Sequence, residues 1–506
     1  MHRSPQGPDH TLIRSSGRNR PCSSRRLLRA ALICTLAASL PAHSLTIIDT
    51  IGWTDRDLQF YGPARRYLVY DTLRGTHAVW KNGYGEIRYN YCPRNGSWRW
   101  QNGTVVNRTQ RNLGCLDVDI RNGWAYISTD YLWRGRPVIS CLTDSAAGAG
   151  SFREYNLDYD RRHNLVAASD RGYAKFAALS GESLYFYSYF GGFPLGQVGS
   201  FPTHNLAVSK QSGRFGYIWT VTSGEDKDRL FLKQTPNNGA NWYATVCLSD
   251  SVPSSYNRSL LGACATYDTI RIHLIADFYD GTNRQEVVLW HYCPYLSPCW
   301  HVVHHIRLPD SSPIGTCNLA ACRPSIGINR RRHELYVVWE QFDPENIDPQ
   351  TGLCRAGIWA SRSQNLGISW GAPIRLTPAD SISYRFPFLA EVVADTLRIL
   401  CFADPIAGVW EFGEGSQTRN PVLLLRVPAD SLPVAIGDPA RPDHGLSAEG
   451  SLADGGQRLR LLDALGRTLA TGASLKEVSC RLPAGIYFAV SDKGNRTGTV
   501  RLVLVR

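Results

Sequence analysis

The chain has 506 residues, more than one hydrophobic core usually supports, so we expect one large domain and at least one small one. With 45 Gly, 24 Tyr, 14 Trp and only 19% charged residues, its composition favours short strands and tight turns over long helices. The net charge of +12 does not indicate nucleic-acid binding, because residues 1–44 alone carry seven arginines and one aspartate. No basic stripe with interleaved aromatic residues follows them.

The N-terminal segment has the pattern of a signal peptide. A basic run at 25–29 leads into an apolar stretch at 30–40 that is too short to span a bilayer. Ala42 and Ser44 are small residues at the positions that a signal peptidase recognises, so we predict a signal peptide over residues 1–44. The Sec route is favoured, with a twin-arginine signal at 24–26 and a buried helix as alternatives. We expect no membrane span in the mature chain, because no later apolar stretch is long enough.

After this leader, one hairpin pattern recurs: a short apolar or alternating strand, a polar turn, and a strand rich in aromatic and β-branched residues. The hairpins begin near Tyr67, Leu116, Leu165, Leu206, Ala263, Ile326 and Leu389. A closed ring of four-stranded blades protects the edges of so many strands, so we predict an all-β fold with a β-propeller over residues 45–427. Seven blades are favoured. Six are the alternative, because the third hairpin is weak and the strand 45–51 could be needed to complete the seventh.

Two outer hairpins share a turn motif. The first copy consists of Ser363, Asn365, Gly367 and Trp370, and a less regular copy consists of Thr235, Asn237, Gly239 and Trp242. In this spacing Asn bonds to backbone groups of the turn, Gly accepts a positive φ, and Trp folds back beneath the turn. The motif resembles the Asp-box, or BNR repeat, of sialidase-like β-propellers, which implies a structural role for these residues.

The composition shifts at residues 428–450 to Pro, Ala, Gly, Asp and Ser, which predicts a linker. Residues 451–506 then contain three ordered blocks, and the last is the strand 500–506 with its basic end. The first two blocks are marked by Asp463, Gly466, Arg467, Gly485 and Tyr487. This module resembles a type IX secretion (Por secretion) sorting domain, which implies a bacterial host, an Ig-like β-sandwich and the type IX secretion machinery as partner. The family's earlier Asn-Pro block is absent or reduced to Asp438-Pro439. The alternative is a small β-sandwich that only stabilises the propeller.

The cysteines agree with export, since 12 of the 14 follow residue 44. Cys293 with Cys299, and Cys317 with Cys322, are close enough in sequence to close small loops, so we predict disulfides there. Zinc is the alternative, although neither pair has the spacing of a typical zinc site.

Few residues indicate catalysis. Sialidase-like propellers that hydrolyse glycosides resemble one another in an arginine triad, an Asp and a Tyr–Glu pair at the central mouth. The only string similar to the family's first arginine strand is 384–387, which makes Arg385 a candidate catalytic residue; the first strand of a blade is the simpler interpretation. Asp117 and Asp119 alternate on a strand and share a face, either as a carboxylate pair toward the channel or as partners of an arginine.

Two segments have atoms that could bind metals. The loop 343–348 has enough oxygen ligands for Ca²⁺ but lacks EF-hand spacing. His301, His304 and His305 lie on a predicted strand where only the first and third share a face, which gives little support for zinc. We therefore predict no cofactor and no metal, with structural calcium as the alternative.

A propeller presents variable loops around a central funnel, so we predict a secreted or cell-surface protein that binds carbohydrate or another surface polymer without catalysis. This prediction depends on analogy between folds. The alternatives are an exo-acting, sialidase-like glycoside hydrolase and a structural cell-surface protein. Three converging arginines with a Tyr–Glu pair would favour the hydrolase, whereas exposed aromatic side chains without perturbed carboxylates would favour binding.

Overall fold

The computed structural model describes residues 46–60, 62, 65–107, 112–170, 174–188, 191–198 and 203–435, and the strands 459–462, 468–472, 485–493 and 496–504. The predicted signal peptide, residues 1–44, lies outside the described residues. The chain divides into two compact units, Met1–Asp438 and Pro439–Arg506, and the division falls inside the predicted linker. Within the described ranges, no helix has the length and apolar character needed to cross a membrane.

The first unit is a seven-bladed β-propeller, as predicted, and each blade is an antiparallel four-stranded sheet. Blades 1 to 3 consist of β2 (Leu68–Asp71), β3 (Gly75–Lys81), β4 (Ile87–Pro93) and β5 (Thr104–Val105); β6 (Asn112–Arg121), β7 (Trp124–Trp133), β8 (Arg136–Asp144) and β9 (Phe152–Tyr159); and β10 (Arg162–Ala167), β11 (Lys175–Ser180), β12 (Ser183–Ser188) and β13 (Gly191–Gln197). The third hairpin, weak in the sequence, therefore belongs to a complete blade.

Blades 4 to 6 repeat the same order. They consist of β14 (Thr203–Val208), β15 (Phe215–Thr220), β16 (Leu230–Thr235) and β17 (Val246–Cys247); β18 (Ala263–Tyr267), β19 (Ile272–Phe278), β20 (Glu286–Tyr292) and β21 (Trp300–Arg307); and β22 (Ala321–Asn329), β23 (Glu334–Ile347), β24 (Cys354–Ser363) and β25 (Ile374–Arg375). The first strands of successive blades contact one another, which places them on the inside of the ring.

Blade 7 joins the two ends of the propeller. It consists of β26 (Ser383–Leu389), β27 (Thr396–Asp404), β28 (Asn420–Pro428) and β1 (Ile47–Thr54). β1 pairs antiparallel with β28, from Ile47 opposite Arg426 to Thr54 opposite Asn420. The N-terminal strand thus completes the last blade and closes the ring.

Strand direction gives the ring two faces. Because strands alternate within each blade, the turns between second and third strands lie at the same end as the connections between blades. We call this end the upper face. The other turns lie at the lower face.

The blades are held together by side chains buried between neighbouring sheets. Between blades 7 and 1, the ring of Tyr67 stacks on that of Phe388 with centroids 4.2 Å apart. Within blade 1, the buried His77 Nδ1 lies 2.7 Å from the Tyr89 hydroxyl. Burial lowers the pKa of His77 to about 3, so the ring is neutral.

Helical structure in the described part of the chain comprises short 3₁₀ turns at Gly83–Gly85, Ser249–Ser251, Trp410–Phe412 and Ala429–Ser431. The described strands of the second unit form a four-stranded sheet in the order β30 (Thr468–Gly472), β29 (Leu459–Leu462), β31 (Gly485–Lys493) and β32 (Arg496–Leu504). Gly485 and Tyr487 of the predicted sorting motif lie on β31. Asp463, Gly466 and Arg467 lie outside the described residues.

The structure does not support the two predicted disulfides, because Cys293, Cys299 and Cys322 are free thiols. The Cys293 amide donates to the Cys299 carbonyl at 2.9 Å, which closes the turn between β20 and β21 through the backbone. The Cys322 thiol donates to Glu340 at 3.1 Å, so it is engaged inside the fold.

Candidate functional site

A cleft opens on the upper face at the junction of blades 7 and 1. Its volume is about 600 Å³, and it is formed by the segment after β1, the turn between β3 and β4, and the segment between β27 and β28. The lining residues are Asp55, Arg56, Gly83, Trp410, Glu411, Gln417, Thr418 and Arg419. The cleft exists only because the N-terminal strand returns to the last blade.

Trp410 presents an apolar surface in this cleft. It begins the 3₁₀ turn Trp410–Phe412, which ends at Gly413 with φ 78°. Its backbone N–H donates to Asp57 Oδ2 at 3.1 Å, yet the residue is 44% exposed. The backbone is therefore fixed while the indole stays accessible, an arrangement suited to stacking against a ligand.

Polar side chains surround the indole. Arg56 and Glu411 form an ion pair with 3.6 Å between nitrogen and oxygen, and Glu411 also accepts the Leu58 amide at 3.1 Å. Gln417 donates to the Asp55 carbonyl at 2.7 Å, and the Arg419 guanidinium lies 5.3 Å from the Trp53 ring centroid. Two arginines and two carboxylates line the cleft, so their formal charges cancel.

A buried carboxylate pair lies beneath the cleft. Asn420 bridges it, donating to Asp57 at 2.8 Å and to Asp404 at 3.2 Å. Burial and then the nearby Asp404 raise the pKa of Asp57 to about 7, and burial also raises the pKa of Asp404. Every oxygen of the pair accepts a protein hydrogen bond, including those from Trp410, Ile406 and Thr418. The pair therefore supports the cleft from below and does not present a free acid or base.

The two motif turns lie at the lower face, away from the cleft. In blade 6 the Ser363 hydroxyl accepts the Gly367 amide at 2.8 Å, Asn365 accepts the Ser369 amide at 2.9 Å, and the Trp370 indole donates to the Gly367 carbonyl at 3.2 Å. These bonds fix the turn between β24 and β25.

The turn between β16 and β17 repeats those bonds. Thr235 accepts the Gly239 amide at 3.1 Å, Asn237 accepts the Asn241 amide at 2.9 Å, and Trp242 donates to the Gly239 carbonyl at 3.2 Å. Both turns pack on the preceding blade, since a Cβ on Gly367 would lie 2.1 Å from the His291 ring and one on Gly239 would lie 2.5 Å from Phe186. The motif residues thus organise turns and contacts between blades.

Arg385 is buried between blades 6 and 7. Together with Arg323 it forms an ion pair with Glu340, and it donates to Asn318 at 2.9 Å. Because the Arg385 side chain is buried, it is not exposed to a substrate. Its contacts with Glu340 and Asn318 anchor the first strand of blade 7.

A Tyr–Glu pair is also present, on β23 at a distance from Arg385. The Tyr336 hydroxyl donates to Glu334 at 2.5 Å, and both residues are buried. Glu334 lies six residues from Glu340 on β23, which corresponds to roughly 20 Å along the strand. The two arginines and the Tyr–Glu pair therefore do not converge on one site.

Asp117 and Asp119 face the inside of the ring as arginine partners. Arg66 bonds to Asp117 at 3.0 Å and to Asp119 at 3.1 Å, and Lys210 forms an ion pair with Asp119. Burial alone would raise the pKa of Asp119, but Lys210 and Arg66 hold it below its ordinary value. The network links blades 1, 2 and 4 and leaves no free carboxylate pair.

Most side chains of the two candidate metal-binding segments contact other protein groups. Asp343 pairs with Arg375 at 2.9 Å, and Asp348 pairs with Arg355 at 3.1 Å, so the two aspartates of the loop 343–348 bind arginine, while the third carboxylate, Glu345, is exposed. His305 lies 3.0 Å from Glu286, while His304 packs near Trp339 and His301 near His291. Among the described residues, no group of three or more His, Cys, Asp or Glu side chains could hold a metal ion.

No pattern in the sequence predicted the cleft. Its lining comes from both ends of the propeller, and the bond from Trp410 to Asp57 spans 353 residues. The available signal was a tryptophan followed by Glu411 within a Gly-rich segment between two strands, which is too common a pattern to indicate a site.

No family model and no curated protein matches the chain. Several solved structures resemble it. An ulvan lyase from a new family of polysaccharide lyases is 8% identical with a TM-score of 0.43, covering 70% of this chain and 94% of its own. The leech intramolecular trans-sialidase is 9% identical with a TM-score of 0.38, covering 82% and 73%. The catalytic domain of an α-L-arabinofuranosidase from Coprinopsis cinerea is 10% identical with a TM-score of 0.32, covering 76% and 98%. At these values the resemblance says nothing about activity, and the fold rests on the strand order described above.

Proposed function

We propose that this chain is a secreted or cell-surface β-propeller that binds carbohydrate, without catalysis, in the cleft around Trp410. The observation that carries the proposal is the exposed indole on a backbone fixed by Asp57, with polar side chains around it. The apolar face of a sugar ring stacks on an aromatic ring, and its hydroxyls take hydrogen bonds from neighbouring polar groups.

The carboxylates near the cleft favour binding over hydrolysis. Glycoside hydrolases need one carboxyl group that gives a proton and a second that activates water or attacks the sugar. Asp57 has a raised pKa, as a catalytic acid would, but both of its oxygens are engaged with Trp410 and Asn420. The candidate catalytic arginine of the sialidase-like alternative does not support hydrolysis either, since Arg385 is buried in an ion pair.

A glycan-array screen of the full chain, run beside a fluorogenic sialoside assay, separates the two functions. We expect binding to one or a few glycans and no turnover. Turnover that Arg385→Ala abolishes would contradict the proposal and establish the hydrolase. The absence of both glycan binding and sialoside turnover would also contradict the proposal and would favour a structural role.

We also propose export through a Sec signal peptide at residues 1–44 and a type IX sorting module at 451–506, with the type IX machinery as partner. The three sequence blocks of the module support this, and its described strands pair in one compact sheet. We further assign the two motif turns to the Asp-box class, which their matching hydrogen bonds support.

The sorting proposal predicts where a truncated chain accumulates. Deletion of residues 450–506 should leave the propeller folded but retained in the periplasm, because the signal peptide is intact and the sorting signal is gone. Cell fractionation of a native type IX host measures this. Equal surface display of full-length and truncated chains would contradict the sorting role.

A further inference from the structure

A second exposed surface with aromatic and cationic side chains lies on the upper face at blades 2 and 3. Its members are Trp133, Arg134, Arg136, Tyr159, Arg161 and Tyr185, and we name it the aromatic–arginine rim. Trp133 and Tyr159 are 38% and 39% exposed, and their ring centroids are 5.8 Å apart. Two large rings are thus presented side by side to solvent.

The local backbone explains why Trp133 projects. Arg134 and Gly135 have φ of 50° and 78°, and Trp133 pairs with Arg136 across the turn between β7 and β8. This is the pattern of a tight two-residue hairpin with both central residues at positive φ. Such a turn favours one backbone conformation, so the Cα–Cβ direction of Trp133 is set without a ligand.

The arginines of the rim lie against its rings. The guanidinium carbon of Arg134 is 4.6 Å from the Trp133 ring centroid, and that of Arg161 is 4.2 Å from the Tyr185 centroid. A guanidinium stacked in this way can offer N–H groups at its edge, where a carboxylate or sulfate accepts two of them at once. Arg161 already donates to the Tyr187 hydroxyl at 2.9 Å and to the Ser180 hydroxyl at 2.8 Å, so Arg134 is the arginine that suits this role.

Acidic neighbours limit the charge of the rim. Arg136 forms an ion pair with Asp160, and Arg161 lies 3.5 Å from Asp158. Two of the three rim arginines are therefore matched by carboxylates. A surface that follows a nucleic-acid backbone needs many uncompensated cations, whereas one stacked arginine beside two rings suits a polymer with widely spaced anionic groups.

We propose that the aromatic–arginine rim is a second carbohydrate-binding site, selective for acidic polysaccharides that carry carboxylate or sulfate groups. The proposal rests on the proposed function, because it assumes that this propeller binds carbohydrate. The rim lies on blades 2 and 3 and the Trp410 cleft on blades 7 and 1, so each site can be removed without altering the other.

The test measures binding of the full chain to immobilised polygalacturonate, dextran sulfate and uncharged dextran by biolayer interferometry. Wild type should bind one or both charged polymers more tightly than dextran. Trp133→Ala should weaken that binding about fivefold to tenfold, and Arg134→Gln should weaken it and reduce its salt dependence. Trp124→Ala is the matched control, since Trp124 is 45% exposed at the opposite end of the same strand. It should bind as wild type does.

Trp410→Ala and a single-stranded DNA probe complete the design. If the charged polymers bind Trp410→Ala as they bind wild type but bind Trp133→Ala more weakly, the rim proposal is supported even if the cleft proposal fails. If the charged polymers bind Trp133→Ala and Arg134→Gln as tightly as wild type, the rim proposal is wrong. The cleft proposal is not affected by that result. Tighter binding of the DNA than of either charged polymer also overturns it. Thermal melting of each variant establishes that a loss of binding is not a loss of folding.

Discussion

Asp57 lies beneath the Trp410 cleft with its carboxylate largely removed from water. Its pKa rises from 3.8 to about 7 on folding, so the folded chain takes up a proton that the unfolded chain releases. The contribution of Asp57 to stability is therefore complete below about pH 4 and is lost as the pH rises toward 7.

This titration predicts a pH dependence specific to one residue. Between about pH 5 and about pH 8, the Tm of the wild type should fall by more than that of Asp57→Asn, because the variant has no proton to lose at this position. Differential scanning calorimetry measures both. Asp55→Asn, on the exposed wall of the same cleft, should keep the wild-type difference. Equal changes in wild type and Asp57→Asn would show that Asp57 does not titrate in this range.

Asp119 is the partner of two cations inside the ring, Arg66 and Lys210. Asp119→Ala should lower the free energy of unfolding by about 3 kcal/mol, because it leaves two largely buried cations without this carboxylate. Asp250→Ala breaks the exposed ion pair with Arg229 and should cost less than about 0.5 kcal/mol. Urea titration compares the two, and similar costs would contradict a stabilising role for the inner network.

At the scale of elements, the inner hairpins were predictable and the shortest outer strands were not. The first strands of the blades are buried, so they read as short apolar runs; all six residues of β14 are buried. By contrast β5, β17 and β25 have two residues each, too few to show any alternation. The pairing of β1 with β28 joins opposite ends of the propeller, so no local pattern could establish it.

The motif turns are elements whose role in packing can be tested. Gly367 has φ of 91°, and a Cβ there would lie 2.1 Å from the His291 ring. Gly367→Ala should therefore cost about 2 to 3 kcal/mol, from backbone strain and steric overlap together.

Gly352→Ala is the matched control for this turn. Gly352 also has a positive φ, 71°, but a Cβ there would meet nothing within 4 Å. It should cost only the backbone strain of about 1 kcal/mol. Equal losses of stability in the two variants, measured by urea unfolding, would mean that the turn does not pack against blade 5 as described.

At the scale of the whole molecule, ring closure creates the candidate site. The sequence predicted a seven-bladed propeller because its hairpins repeat, but it did not predict where a ligand would bind. The candidates it offered, Arg385 and the pair Asp117 and Asp119, are buried in ion pairs. The cleft arises where Trp410 from the last blade meets Asp57 from the segment after the N-terminal strand.

The most direct test of this account is isothermal titration calorimetry of the best glycan from the array against wild type, Trp410→Ala and Trp124→Ala. If the cleft binds the sugar by stacking, Trp410→Ala should lose about tenfold in affinity, equivalent to about 1.4 kcal/mol, while Trp124→Ala keeps wild-type affinity. Unchanged affinity in a folded Trp410→Ala variant would contradict the central claim that this cleft binds carbohydrate.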